Sequence, residues 1–586
     1  MRLRYAIDPE FPTAGGGEAP AAAWPGFRKL VTVALLALFW FCAFIGLRPL
    51  ANPDEGRYTE IAREMAESGD YVTPRLNGVK YFEKPPLMYW LSALTFKAFG
   101  LNQFTARLWV ALFATLGCLL TYVAAHVLYG QRAGIWSAIV LSSSLIYYVL
   151  GQLVLLDMAV SVMISGALFS FILAVREPAG RRRFWLFMAH YGFMALATLS
   201  KGLIGFLIPG AVMFLWLLML GNWRMLRPLH LLPGAILFLA ISVPWHIAVA
   251  TANHSANHQM DFAWFYFIHE HFERFTTTVH QRYEPWWFFL PFVIGGLFPW
   301  VVLAWQAVSR ALAGGWRERT KHAEAWFLVL WIGFIVLFFS ASQSKLIPYI
   351  LPVIPACAVL IGRYVAECWD TVAGKGLTRG GMAFAVLAIV IGIAAFVVKP
   401  PAYHDALAEA FPMLRAMVAG VFIPAGLLAV LASLRKSPRW VIGCIAGSAI
   451  LLFPGIAAMG RVMDGESTVQ LSHLLQQRLT PTDRVIHLGM YAQDMPAYLG
   501  RQVDVAAYKG ELQFGIDAEP ERTDARFISR ARFIEEWREP HTTYALMRTF
   551  YYDKWFRLQG VDHEVIGHEG DLYLLVNRNP NSVSQR

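Results

Sequence analysis

The amino-acid sequence predicts an all-α polytopic membrane bundle of about thirteen transmembrane helices, followed by a soluble α/β domain. Three observations predict it. Of 586 residues, 57% are hydrophobic and only 15% charged, with a mean hydropathy of +0.45, whereas soluble domains carry more charge. Apolar runs long enough to cross a bilayer recur from residue 30 to residue 460. Beyond about residue 461 the hydrophobic runs shorten to strand length and alternate with helical patterns.

Residues 1–29 contain Asp8, Glu10, Glu18 and a Pro/Gly/Ala-rich stretch, which reads as a flexible cytoplasmic tail rather than a signal peptide. Spans are expected at 30–50, 105–128, 133–150, 157–175, 184–200, 202–220, 231–250, 286–307, 325–341, 346–362, 381–398, 413–433 and 440–460. With the N-terminus inside, the short inner loops hold seventeen Lys and Arg, from Arg132 through Arg176, Arg224, Arg227 and Arg310 to Arg439, while the short outer loops hold only Lys201, Lys345 and Lys399. That bias sets the orientation, and an odd span count places the C-terminal domain outside. The net charge of +10 is therefore a topology signal, and no nucleic-acid partner is expected. None of the five cysteines shows the paired spacing of a zinc site, and none lies beyond residue 444, so no disulfide framework is expected.

Two outer loops are long, 51–104 and 251–285. In the first, Tyr58, Ile61, Ala62, Met65 and Ala66 form one stripe of an amphipathic helix over 54–67, expected on the membrane surface with Asn52 or Asp54 as cap and Gly69 as stop. A second helix is expected over 85–99, ending at Gly100. The second loop carries FAWFYFIHEHFERF. In the C-terminal domain, 461–586, strands are expected at 484–488, 503–507, 544–548 and 572–576, with helices at 467–479 and 531–538. The membrane domain, 30–460, shows no pair of matching halves such as many transporters have.

The chemistry concentrates in the outer loops. Asp54, Glu55, Arg57 and Glu60 sit within a turn or two of a membrane exit, and Glu83 and Lys84 precede the next apolar run. Charges of both signs placed there cost stability unless they pair or bind something, and acid beside base is what a phosphate-carrying lipid requires. Asp54 and Glu55 could serve only as helix-start acids; the functional alternative is a carboxylate beside the reacting carbon of a lipid-linked sugar. Arg57 and Lys84 could salt-bridge Glu60 and Glu83, or neutralise a polyprenyl phosphate. Arg274 and Lys345 are further outer-side cations, with Lys201 a weaker one. Asp157 opens the fourth span on the outer side, where an intramembrane acid is a functional candidate. Glu83, His271 and His269 form a candidate site for a divalent metal, zinc or manganese by ligand type. Two histidines at i, i+2 do not share a helix face, so both bind only if that segment is extended.

PDEGRYTEIAREM, YFEKPP, LLDMA, SKG and EHFERF, in that order, resemble the C-type (GT-C) polyprenyl-phosphate-dependent glycosyltransferases, in particular the aminoarabinose transferases of lipid A and the related protein O-mannosyltransferases. The likeness runs from the first span to the late spans. It implies an inverting single displacement with Asp54 as the catalytic acid, and Lys84 and Arg274 near the lipid phosphate. It places a metal at Glu83 and a histidine of HEHF, of which His271 fits the pattern better, and implies no organic cofactor. The expected reaction moves 4-amino-4-deoxy-L-arabinose from undecaprenyl phosphate to lipid A phosphates, among membrane lipids of a bacterial inner membrane, with the site facing the periplasm. Alternatives are a transferase of another sugar to a hydroxyl acceptor, as in protein mannosylation, and a lipid transporter. The transporter would show mid-span charges and repeated halves, which this sequence lacks.

Overall fold

The computed structural model describes residues 24–223, 229–255, 257–277, 284–399, 405–460 and 467–577. Arg224 and Arg227, most of the N-terminal tail, part of the second long loop and the junction at 461–466 lie outside the described residues. Each of the thirteen expected spans overlaps a helical segment. Among the described residues, however, only eight helices are long and apolar enough to cross a membrane, or nine if Phe289–Gly296 and Trp300–Ala311, bent by 97°, form one broken span. The shortfall has local causes. Phe27–Cys42 has only 16 residues before the chain turns, and the run at 133–150 breaks at Ser143 and Ser144 into Gln131–Ser142 and Leu145–Leu150. Arg181–Lys201 opens on three arginines, and Ile204–Leu220 has 17 residues.

The helix Leu156–Arg176 is buried at every position from Leu156 to Val175, the mark of a helix that is apolar all round and sits at the bundle centre. At one end of the bundle the loop arginines meet acids: Arg439 and Arg132 pair with Asp370, Arg176 with Glu324 at 3.1 Å and Arg363 with Glu367 at 2.9 Å. The opposite end carries the first long loop and the C-terminal domain.

In that loop the helix Asp54–Ser68 ends at Gly69, whose φ of +71° a β-carbon would strain. An antiparallel hairpin, β1 (Arg75–Leu76) with β2 (Val79–Lys80), and the helix Leu87–Phe99 follow. Asp54–Ser68 does not lie on a membrane surface as expected. Glu55, Gly56 and every residue from Thr59 to Met65 are buried, because the C-terminal domain roofs the helix. Its N-cap is Pro53, with no side-chain capping bond, and Asn52 turns to the C-terminal domain instead.

Glu55 and Arg107 hold this end together. Arg107, 1% exposed, donates from Nε and Nη2 to the two Glu55 oxygens at 2.8 and 2.7 Å. Its remaining N–H groups reach the carbonyls of Ile45, Arg48 and Pro49. Glu55 also accepts from Arg48 (2.9 Å) and from the backbone N–H of Ala51 (3.0 Å) and Val154 (2.9 Å). Burial pushes the Glu55 carboxyl up, but Arg107, Arg48 and Val154 outweigh it and hold it below the usual carboxylate range.

The C-terminal domain is a six-stranded sheet of order β5-β4-β3-β6-β8-β7, with β3 Arg484–Leu488, β4 Asp504–Ala506, β5 Phe527–Ile528, β6 Thr543–Arg548, β7 His563–Glu569 and β8 Leu572–Asn577. The first four strands in that order are parallel and the last two antiparallel. Helices run at Val469–Gln476 and Arg530–Arg538. The domain docks on the first loop: Asn77 exchanges bonds with the backbone of Val503 at 2.9 and 3.0 Å, Arg75 pairs with Glu519 at 2.7 Å, and Phe265 of the second loop stacks on Phe514 at 4.0 Å.

Removing one partner of a buried pair leaves the other charge stranded, so Glu55→Ala should destabilise the protein by about 3–5 kcal/mol. Thermal unfolding in detergent measures this, and a midpoint equal to wild type would show that the pair is dispensable.

Candidate active site

A cavity of about 300 Å³ opens where the central helix, the first loop and the second loop meet. Its walls are largely apolar, including Val160, Ile164, Leu207, Ile208, Phe338, Phe339 and Pro352, and its polar groups include Glu83, Lys84, Asp157, Lys201, Glu270, His271, Arg274 and Tyr349. Apolar walls with a few convergent charges suit an amphiphile with one ionic end.

Helix ends place two of these charges. Asp157 lies in the first turn of Leu156–Arg176 and Lys201 in the last turn of Arg181–Lys201, where each complements the local helix dipole. They meet at 2.5 Å, and the Lys201 ammonium also lies 4.7 Å from the centre of the Tyr349 ring. Gly202 then ends the helix at φ +85°, and a β-carbon there would lie 2.1 Å from His271 Nε2, so SKG needs its glycine for the second loop to approach.

That second loop is a π-helix, Trp264–Glu273, continued by Arg274–Thr276. Glu270 and Arg274, four residues apart, bond at 2.7 Å, and Lys84 donates to the same Glu270 oxygen at 3.1 Å and to its neighbour's carbonyl at 2.7 Å. Glu83 lies 3.9 Å from Arg274. Burial, and then Arg274, push the Lys84 ammonium below its ordinary value against the pull of Glu270 and Glu83. Burial also works against the Arg274 charge, but Tyr349, Glu270 and Glu83 outweigh it and raise its pKa. Three cations and three carboxylates thus face one cavity as pairs. An incoming phosphate can draw the cations from their partners without exposing any to vacuum-like surroundings.

The sequence-derived candidates divide. Glu83, Lys84, Asp157, His271 and Arg274 line the cavity. Asp54 does not; it stands half-exposed at the start of its helix, 3.5 Å from Arg57, and both are within electrostatic reach of Tyr58, as are Glu83 and Asp157. Arg57 reaches away from the cavity to Gln493 of the C-terminal domain. Lys345 donates to the backbone carbonyls of Ser342 and Glu284 at 2.6 and 2.8 Å and is not a cavity-lining cation. Glu55, half of the acidic pair, is committed to Arg107. Lys201, the weaker candidate, lines the cavity as well. Glu270 and Tyr349 enter the site beyond expectation, and the spacing Glu270/Arg274 is the one readable sign of the first.

The metal expectation does not fit these side chains. His271 Nδ1 donates to the Tyr266 carbonyl at 2.6 Å and its Nε2 accepts from Leu203 N–H at 3.3 Å, so both ring nitrogens are used. His269 pairs with Glu273 at 2.8 Å, since on a helical segment the two histidines diverge. Glu83 faces Arg274. Among the described residues no three His, Cys, Asp or Glu converge on a metal position.

A model of the dolichyl-phosphate-mannose-protein mannosyltransferase family matches residues 30–259, and one of the aminoarabinose transferase C-terminal domain matches 471–577. The undecaprenyl phosphate-alpha-4-amino-4-deoxy-L-arabinose arabinosyl transferase of Pectobacterium atrosepticum is 30% identical over 510 residues, 84% of this chain and 87% of its own. This chain belongs to the aminoarabinose transferase family. A second such transferase, from Sodalis glossinidius, is 30% identical over 88% of this chain and 91% of its own. The crystal structure of ArnT from Cupriavidus metallidurans bound to undecaprenyl phosphate superposes with a TM-score of 0.81 at 28% identity, covering 95% of this chain and 99% of that one. The fold is thus that of a multi-pass GT-C transferase, and the protein is a glycosyltransferase.

Two outcomes follow for this family member. Lys84→Ala and Arg274→Ala should each weaken binding of a polyprenyl phosphate by about ten- to a hundredfold, the worth of one buried charge-assisted bond; equal affinity in wild type and both variants would refute the phosphate assignment. Burial pushes His271 down to about 4. The imidazole is therefore predominantly neutral from about pH 5 upward, and a rate profile between about pH 5 and 8 should show no step that His271→Gln removes.

Proposed function

We propose that this transferase moves 4-amino-4-deoxy-L-arabinose from undecaprenyl phosphate to phosphate groups of lipid A, at the periplasmic face of a bacterial inner membrane. The observation that carries the reading is the cavity itself: three partly buried cations, Lys84, Lys201 and Arg274, facing an apolar chamber. That chemistry matches a phosphate on an isoprenoid chain, and the family relationship supports this donor.

In the proposed step, an oxygen of the acceptor phosphate attacks the anomeric carbon as the bond to the undecaprenyl phosphate oxygen breaks, and the electron pair leaves with that phosphate. Lys84 and Arg274 take up the charge that develops there, and Lys201 holds Asp157 ready to face the sugar. A lipid A phosphate is already an anion, so no strong base is required to activate it. The work of Asp54 is then to position the sugar, holding its cationic amine, and to steady positive charge at the anomeric carbon. No step in this scheme passes through a metal.

Asp54→Asn should abolish transfer while the protein stays folded, because a half-exposed residue at a helix start is worth only about 1 kcal/mol to stability. Mass spectrometry of lipid A decides it: near-normal aminopentose addition by a well-expressed variant would return Asp54 to a structural role. Dephosphorylated lipid A should not be a substrate. Transfer to it, or to a serine or threonine peptide, would favour the hydroxyl-acceptor chemistry of the mannosyltransferases whose family model matches residues 30–259. Reporter fusions near residue 470 should be active only outside the cytoplasm.

A further inference from the structure

Asp54 is the first residue of its helix, and the residues on either side of it are held by the C-terminal domain. Two positions before it, Asn52 donates to Asp494 at 2.5 Å and accepts from the backbone N–H of Gln493 (3.0 Å) and Asp494 (3.1 Å). Two positions after it, Gly56 packs so tightly that a β-carbon would lie 2.4 Å from the Asp494 nitrogen. Next comes Arg57, whose Nε donates to Gln493 Oε1 at 2.9 Å, while its Nη1 lies 3.5 Å from Asp54 and its Nη2 3.9 Å from Glu511. Gln493 is only 2% exposed, and its amide in turn donates to Glu511. Arg57 is thus fixed from the far side before it faces Asp54.

We propose that Gln493 and Glu511 of the C-terminal domain are positioning residues for the transfer reaction, setting the carboxylate of Asp54 through Arg57. This rests on the reading of Asp54 as the carboxylate that faces the sugar. Simple docking would not need it: a side chain that only fastens the domain could be met by any surface residue, whereas Gln493 places its one carbonyl oxygen on the guanidinium nitrogen and its amide on the carboxylate that flanks the same guanidinium. Without that oxygen, Arg57 is free to swing toward Glu511, and Asp54 loses its fixed neighbour.

The experiment uses the full-length protein in detergent, with an undecaprenyl-phosphate-linked aminoarabinose donor. Gln493→Ala should lower kcat/KM for the donor by up to about a hundredfold, the scale of an ångström-level misplacement, with affinity for undecaprenyl phosphate alone unchanged. The exchanged pair Gln493→Glu with Glu511→Gln keeps both an acceptor for Arg57 and an amide–carboxylate bond, and should restore most of the rate. Hydrogen exchange supplies a readout independent of turnover: amides at 54–58 should exchange faster in Gln493→Ala, while those around Lys84 and Arg274 should not. A folded Gln493→Ala with wild-type kcat/KM, an exchanged pair no better than the single variant, or exchange that rises equally in both segments would each overturn the proposal. A wild-type protein that transfers no aminoarabinose would instead defeat the proposed function, with the exchange data still deciding the positioning role.

Discussion

Arg107 rises from a membrane-spanning helix into the first outer segment, where its guanidinium has five N–H donors to satisfy away from water. Glu55 takes two of them and three backbone carbonyls take the rest, while the same carboxylate gathers the N–H groups of Ala51 and Val154. Val154 leads into the helix that carries Asp157, and Glu55 itself follows Asp54. One ion pair therefore fixes the origin of both acidic elements at the outer end, and neither could shift without stranding a charge in apolar surroundings.

The cavity follows the opposite rule. Its charges are paired at the wall of an open cavity, where a ligand can reach them: Lys84 and Arg274 share Glu270, and Lys201 is held by Asp157 beside an aromatic face. Carboxylates keep the cations in place in the absence of a ligand. The apolar walls keep water from competing with whatever anion replaces them. Of the two adjacent acids, Glu55 is thus committed to its ion pair with Arg107, while Asp54 stands half-exposed beside it.

That division was not legible in the sequence, where PDE reads as one acidic pair. Spacing identifies helix ends and amphipathic stripes, and so it located the helix now seen at Asp54–Ser68, the helix after Pro86, four strands and the outer cations. It missed β5, only two residues long, and β7, a largely exposed edge strand without an apolar run. It also placed Arg57 and Lys345 toward the lipid phosphate, because the partners that turn them away, Gln493 and the carbonyl of Glu284, are distant in sequence. Lys201 was underrated for the same reason: its partner Asp157 is a helix hairpin away. Local pattern reveals where a charge lies along an element, and only the assembled bundle reveals which neighbour claims it.

Synthesis runs from the N-terminus, and the helix that begins at Asp54 is among the first segments to leave the ribosome. Its finishing contacts are among the last: Leu50 N–H meets the Tyr498 hydroxyl 448 residues later, and Asn52 meets Asp494 across 442. Until the C-terminal domain has folded, the contacts of Asn52 with the Gln493 and Asp494 backbone, and the packing of Gly56 on Asp494, cannot form. This end of the molecule is therefore assembled late. A chain that ends before the C-terminal domain lacks the roof over the helix that begins at Asp54, so the packing there is complete only when the whole polypeptide has been made.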